Sequence, residues 1–199
     1  MKNLPILLIL ISVLVTTTHA QNLGGGLHIG LNASQVDGDN SGGFQRAGLI
    51  VGGFVSYALS ENFEIQPELQ FEQLGSANDG GLIVKMNYIS LPLMANVYVP
   101  IELFGKTQDF QFNVGPVIGL LLKAEDLGGE ITFLDNVDYR AMAGITFRSG
   151  NTAVSMRYGY SLTSFAGSTQ GFPFLSPGAR GVFHNYVSFT LRIYLFNPS

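Results

Sequence analysis

From Phe63 to Glu72 apolar and polar side chains alternate without a break: Phe63, Ile65, Pro67, Leu69 and Phe71 against Glu64, Gln66, Glu68, Gln70 and Glu72. Successive side chains of an extended strand point to opposite faces, so this pattern specifies a strand with one apolar and one polar face. A tilted strand of ~9–11 residues also crosses a bilayer. Few other patterns narrow the choice of fold as far.

The design recurs. Eight strands are expected, at about 26–34, 47–59, 63–74, 86–99, 109–123, 137–148, 152–163 and 185–196. In the first, Leu27, Ile29, Leu31 and Ala33 oppose His28, Gly30, Asn32 and Ser34. In the last, Val187, Phe189, Leu191, Ile193 and Leu195 oppose Ser188, Thr190, Arg192 and Tyr194. In the fifth the alternation fades after Gly119. Ser60-Glu61-Asn62 and Ser149-Gly150-Asn151 read as tight hairpin turns, and the link at 100–108 is longer. The stretches 35–46, 75–85, 124–136 and 164–183 read as long loops rich in Gly, Asp, Asn and Ser. Short turns at one end and long loops at the other mark an outer-membrane barrel, with turns and both termini in the periplasm. The expected fold is all-β, an eight-stranded antiparallel up-and-down transmembrane β-barrel.

Composition agrees. After the N-terminal leader no segment is apolar for the ~18 residues a membrane helix needs. A chain of this kind spans a membrane only as a closed barrel, because open sheet edges in lipid leave backbone groups unpaired. Lys2, the apolar run 4–15 broken by Pro5 and Ser12, and Thr18-His19-Ala20 read as a signal peptide over 1–20, cut before Gln21. That leaves 21–199 as one barrel domain, exported to the outer membrane. The run is short for the alternative, an N-terminal anchor. With no cysteine, a lipid-anchored lipoprotein, a disulfide framework and a thiolate metal site are excluded. The net charge of −4 comes without the basic stripe that nucleic-acid binding needs.

A soluble lipocalin-like carrier also alternates, with its apolar face inward. Two features favour lipid outside. The polar faces are poor in lysine, unlike a water-facing surface. The apolar faces carry aromatics at their ends: Tyr57, Phe63, Phe110 and Phe147 on the turn side, and Phe71, Tyr139 and Tyr160 on the loop side. Two aromatic girdles around an aliphatic band are the mark of a membrane barrel. The partners expected are outer-membrane lipid and the barrel-assembly machinery. That machinery reads a final amphipathic strand such as Tyr186 to Phe196, although Asn197-Pro198-Ser199 trails it.

The lumen is then expected to hold His28, Asn32, Glu64, Gln66, Glu68, Gln70, Glu72, Asn113, Lys123, Arg140, Arg148, Arg157 and Arg192. An eight-stranded interior is just wide enough for side chains to fill, and charges buried there must pair. The expected network is Glu64, Glu68, Glu72, Arg140, Arg157 and Arg192. Glu68 is matched with Arg157 at mid-height, and Glu64 with Arg192 below. These residues admit a narrow polar pore or a structural plug, and the plug is preferred. An enzyme would need a nucleophile, a base and an orienting group held together. Outside the leader only His28 and His184 are available as histidines. His184 falls at the outer rim, where Ser161 and Ser164 can approach it without any defining spacing. It reads as a solvated rim histidine. No catalytic residue, cofactor site or metal site is expected.

Gly30-Leu31-Asn32, Ala47-Gly48, Gly52-Gly53-Phe54-Val55, Phe63 through Leu69, Tyr88-Ile89-Ser90-Leu91-Pro92-Leu93 and Gly115-Pro116-Val117-Ile118-Gly119 together resemble the PorT-like outer-membrane β-barrel family. The resemblance covers essentially the whole mature chain. It implies an eight-stranded barrel in a Gram-negative-type outer membrane, and an association of the namesake with protein secretion. No functional residue carries over. Pro67 and Pro92 lie mid-strand, where they are expected to mark bulges. Three roles follow as expectations. The first is a non-enzymatic structural or adhesive barrel whose loops meet an extracellular protein. The second is a small-solute channel or an accessory part of a secretion apparatus. The third is a soluble periplasmic carrier.

Overall fold

A computed structural model describes residues 22–38, 43–78, 81–103, 106–126, 129–131, 134–165 and 181–197. The expected leader 1–20, and cleavage before Gln21, lie outside these residues. Eight long strands form: β1 Leu23–Asp37, β2 Arg46–Ser60, β3 Phe63–Asn78, β4 Gly81–Leu103, β5 Lys106–Asp126, β6 Val137–Ser149, β7 Thr152–Ser161 and β8 Phe183–Phe196. Each pairs antiparallel with its neighbour in sequence, and β8 pairs with β1. The sheet is therefore a closed up-and-down barrel.

The register fixes its shape. The pairs Leu23–Tyr57, Tyr57–Ile65, Ile65–Ala95, Ala95–Val114, Val114–Ala143, Ala143–Tyr158, Tyr158–Val187 and Val187–Ala33 run once around the wall. The circuit returns to β1 ten residues beyond its start. That stagger corresponds to a strand tilt of roughly 40°, the ordinary value for a barrel.

Apolar faces point outward. Leu31 is 61% exposed and Val114 59%, while Glu64, Gln66, Glu72, Asn96 and Arg140 are buried inside. A soluble carrier needs the reverse arrangement, which this chain does not adopt. The aromatics read as girdles lie on the outward face, including Phe147, which pairs with Phe110 at the turn end. No helix among the described residues is long and apolar enough to cross a membrane.

Four sequence expectations need correction. The stretch 75–85 is mostly ladder, because β3 and β4 run on until Asn78 pairs with Gly81. Gly75 signals a close approach there, not a loop. Its φ is +150° and an added Cβ would lie 2.1 Å from the Val84 carbonyl oxygen. The link at 100–108 is likewise a turn, since Leu103 pairs with Lys106. Neither Pro67 nor Pro92 makes a bulge. The β3–β4 register is the same at Pro67–Leu93 as at Gln70–Ser90, because a missing N–H removes a bond without inserting a residue. A true shift lies further up β5, where Asn87 pairs with Lys123 but Tyr88 with Leu121. Leu122 is the extra residue, and beyond it facing inverts. Lys123 is therefore outside the lumen, 2.5 Å from Glu125.

A closed ladder resists SDS until boiled. The band should shift on heating, and the protein should stay in membranes through a carbonate wash. A band indifferent to boiling would contradict closure.

Candidate functional site: the closed lumen

Strand β3 is the charged spine of the interior. Its inward positions Glu64, Glu68 and Glu72 are four residues apart, about 13 Å along the strand. They set three levels, and each is held differently.

At mid-height Glu68 meets two arginines. Its Oε1 accepts Arg157 Nη1 at 2.9 Å and Arg192 Nη2 at 2.7 Å. Gln66 Nε2 donates to the same oxygen. Arg157 belongs to β7, four strands from β3 in either direction, so this pair spans the full lumen. Arg192 lies over the Phe54 ring, 4.8 Å from its centroid. His28 stacks on Phe54 and its Nε2 is 3.2 Å from Gln70 Oε1.

Nearer the loop end, Arg140 is fully buried. It donates from Nη1 to Glu72 Oε1 at 2.6 Å and from Nη2 to Ser90 Oγ at 2.7 Å, and its Nε lies 3.3 Å from Asp138 Oδ2. Ser90 Oγ donates to Glu72. The guanidinium sits over the Tyr88 and Tyr186 rings, at 5.2 and 5.6 Å. Gly119 makes the room, since a Cβ there would lie 2.2 Å from Arg140 Nη2.

Towards the turn end Glu64 is held by neutral donors, Asn96 Nδ2 at 2.8 Å and Tyr98 OH at 2.7 Å. Arg192 pairs with Glu68 instead of Glu64, because both arginines converge on the middle carboxylate. Asn113 links Asn96 and Thr146, each at 2.8 Å; at the loop-end level Asn32 donates to the Gln73 carbonyl at 3.0 Å. Arg148 marks the mouth at the turn end. It reaches Asn197 Oδ1 at 2.7 Å and lies 3.9 Å over the Tyr194 ring.

Asp138 is absent from the expected interior network, and His184 departs from its expected place at a solvated rim. Asp138 is a fourth buried carboxylate, two residues before Arg140 and so on the same face; the period of two could have found it. His184 is fully buried, not solvated. Its ring stacks on Phe165 at 4.2 Å, and its Nε2 is 3.1 Å from Tyr88 OH. Ser161 Oγ donates to Asp138 Oδ2 at 3.1 Å and accepts the backbone N–H of His184 at 2.9 Å. The hydroxyl is thus tied to the carboxylate and not to the imidazole, the wrong order for an activated nucleophile. Among the described residues no group of three or more His, Cys, Asp or Glu could hold a metal ion.

Above this level an apolar cluster dominates the interior, with Ser34 and Ser76 buried beside it. Val36, Leu74, Val84 and Met86 from the strands pack with Leu134, Phe165 and Val182 from the connections. Backbone bonds stitch this lid: Asp135 N–H to the Phe165 carbonyl at 2.8 Å, and Phe165 N–H to the Val182 carbonyl at 3.1 Å.

Residues 19–167 match the model of the outer membrane protein beta-barrel domain family. The chain belongs to this family. An outer membrane protein beta-barrel domain with outward aliphatic faces implies a setting in outer-membrane lipid. No curated protein matches the chain in sequence. Among solved structures, this outer-membrane barrel is similar to the Yersinia pestis attachment invasion locus protein Ail, with 12% identity, a TM-score of 0.48 and coverage of 87% of this chain and 99% of Ail. It is similar to Neisserial surface protein A, with 12% identity, a TM-score of 0.48 and 87% and 97% coverage. It is also similar to the N-terminal β-barrel domain of Pseudomonas aeruginosa OprF, with 9% identity, a TM-score of 0.40 and 87% and 98% coverage. Likenesses this distant carry no role across.

Proposed function

We infer that this outer-membrane barrel is non-enzymatic and non-conducting, and that it works through its extracellular end as a structural or adhesive protein that meets a protein partner. One observation carries the reading: ion pairs cross the lumen at two heights, beneath an apolar lid. Ions need a continuous polar path. Here the cross-lumen groups are in hydrogen-bond contact, and packed apolar side chains fill much of the interior above them. The activity must then reside on outer surfaces. The motif segments around Pro67 and Pro92 support placing the chain in the PorT-like branch. An exported chain with a leader over 1–20, inserted by the barrel-assembly machinery, fits the same reading.

Planar-bilayer recording tests it. The purified protein should add no unitary steps to the baseline at either polarity. Reproducible steps in the wild type, lost on mild heating, would overturn the plug and favour a small-solute channel or a secretion accessory.

A further inference from the structure

Three prolines stand at matching heights on three consecutive strands: Pro67 on β3, Pro92 on β4 and Pro116 on β5. Each interrupts the ladder on the side facing the preceding strand. Pairing of β2 with β3 skips from Phe54–Glu68 to Tyr57–Ile65. Pairing of β3 with β4 skips from Pro67–Leu93 to Gln70–Ser90. Pairing of β4 with β5 skips from Pro92–Val117 to Ala95–Val114. A proline donates no N–H, so the acceptor opposite it loses its ladder bond.

At the first of these gaps the wall carries a groove of about 510 Å3. Val55, Pro67, Leu69 and Leu91 line it from the outer face, and Gly53 contributes no side chain. Phe54 and Glu68, which face inward, line it too, so the groove cuts down to the wall over the central carboxylate. Its depth in the membrane follows from β3 itself. Pro67 lies midway between Phe63 and Phe71, the outward aromatics of the two girdles. The groove therefore opens at the level of the hydrocarbon core and is continuous with the lipid-facing band.

We propose that this groove seats one acyl chain of a membrane lipid, which seals the wall over Glu68 where the proline leaves the ladder open. Hydrocarbon is the occupant that depth supplies, and the outer lining is apolar throughout. The seat holds one chain in place, whereas the rest of the band meets lipid that exchanges freely. The inference rests on the barrel's setting in a membrane and not on the closed lumen.

Native mass spectrometry of the full protein tests the seat. The protein is exchanged into a short-chain detergent and supplied with dipalmitoylphosphatidylethanolamine. The wild type should retain one lipid per barrel. Gly53→Phe should retain at least tenfold less. The substitution is compatible with the fold, because an added Cβ there approaches nothing closer than the Gly26 carbonyl oxygen at 3.4 Å and Leu27 Cδ2 at 3.5 Å. Val55→Phe, at an exposed outward position on the rim, provides a second variant if the first does not fold. Leu191→Phe, on the outward face of β8, should retain the wild-type amount. Heat-shifted gels establish that each variant is closed. Equal retention by wild type and groove variants, or none by the wild type, would overturn the proposal.

Discussion

Glu68→Ala is expected to lower the unfolding free energy of the barrel by about 3–5 kcal/mol, the usual penalty for leaving a buried charge without its partner. The effect should sit at or above the top of that range, because one carboxylate serves two guanidiniums. Arg157 and Arg192 both meet Glu68 Oε1, and its removal leaves two buried cations facing each other. Urea titration in lipid vesicles, followed by far-UV circular dichroism, measures it; the chain has no tryptophan to report by fluorescence. Lys123→Ala breaks a pair that is 47% and 36% exposed and should leave stability near wild type, because solvent screens such pairs. A Glu68→Ala variant as stable as Lys123→Ala would show that the mid-lumen pairs contribute nothing. The arrangement also constrains a charge exchange. Glu68→Arg with Arg157→Glu should not restore stability, since Arg192 then faces an arginine at position 68. Adding Arg192→Met to that double variant should recover it.

Arg140→Ala is expected to be comparably severe. Arg140 is the cation for both Glu72 and Asp138, at 2.6 and 3.3 Å, and all three side chains are fully buried. Its loss leaves two carboxylates confined together, a cost again of about 3–5 kcal/mol at neutral pH. The sign with pH distinguishes this from simple loss of packing. The wild type loses a favourable ion pair as acid protonates the carboxylates. The variant instead loses a repulsion, because a protonated carboxyl needs no counter-ion. The gap between the two should therefore narrow in acid. A gap constant from neutral to acid pH would assign the loss to the cavity left between Tyr88 and Tyr186.

Most of the fold could be read from periodicity. Side chains alternate with a period of two in any strand, so Phe63–Glu72 and its seven counterparts state which residues share a face before any pairing is known. Facing also gave Glu68, Arg157, Arg140 and Arg192 as interior charges. Where the reading failed, the cause was local. Gly75 looks like loop punctuation, yet it sits in a ladder where two backbones nearly touch. Leu122 is one extra residue in β5, and nothing in its own identity announces the bulge that sends Lys123 outside. Pro67 and Pro92 were legible as disturbances, but only the register of their neighbours shows that bonds are missing while alignment is kept.

Partnership across the lumen was beyond the sequence for a different reason. Alternation places a side chain inside but says nothing about its height relative to a strand that is remote along the chain. Height depends on the stagger accumulated around the closed wall, which the circuit from Leu23 to Ala33 sets at ten residues. That stagger brings Arg192 to Glu68 instead of Glu64 and gathers Tyr88, Asp138, Arg140 and His184 into one cluster. The apolar lid is likewise a tertiary result, since Leu134, Phe165 and Val182 come from connections without periodicity. Sequence alone determined that this chain forms a strand barrel with lipid outside and charge within. Only closure of the barrel decided which charges meet, because it is the ring that converts position along a strand into height in the lumen.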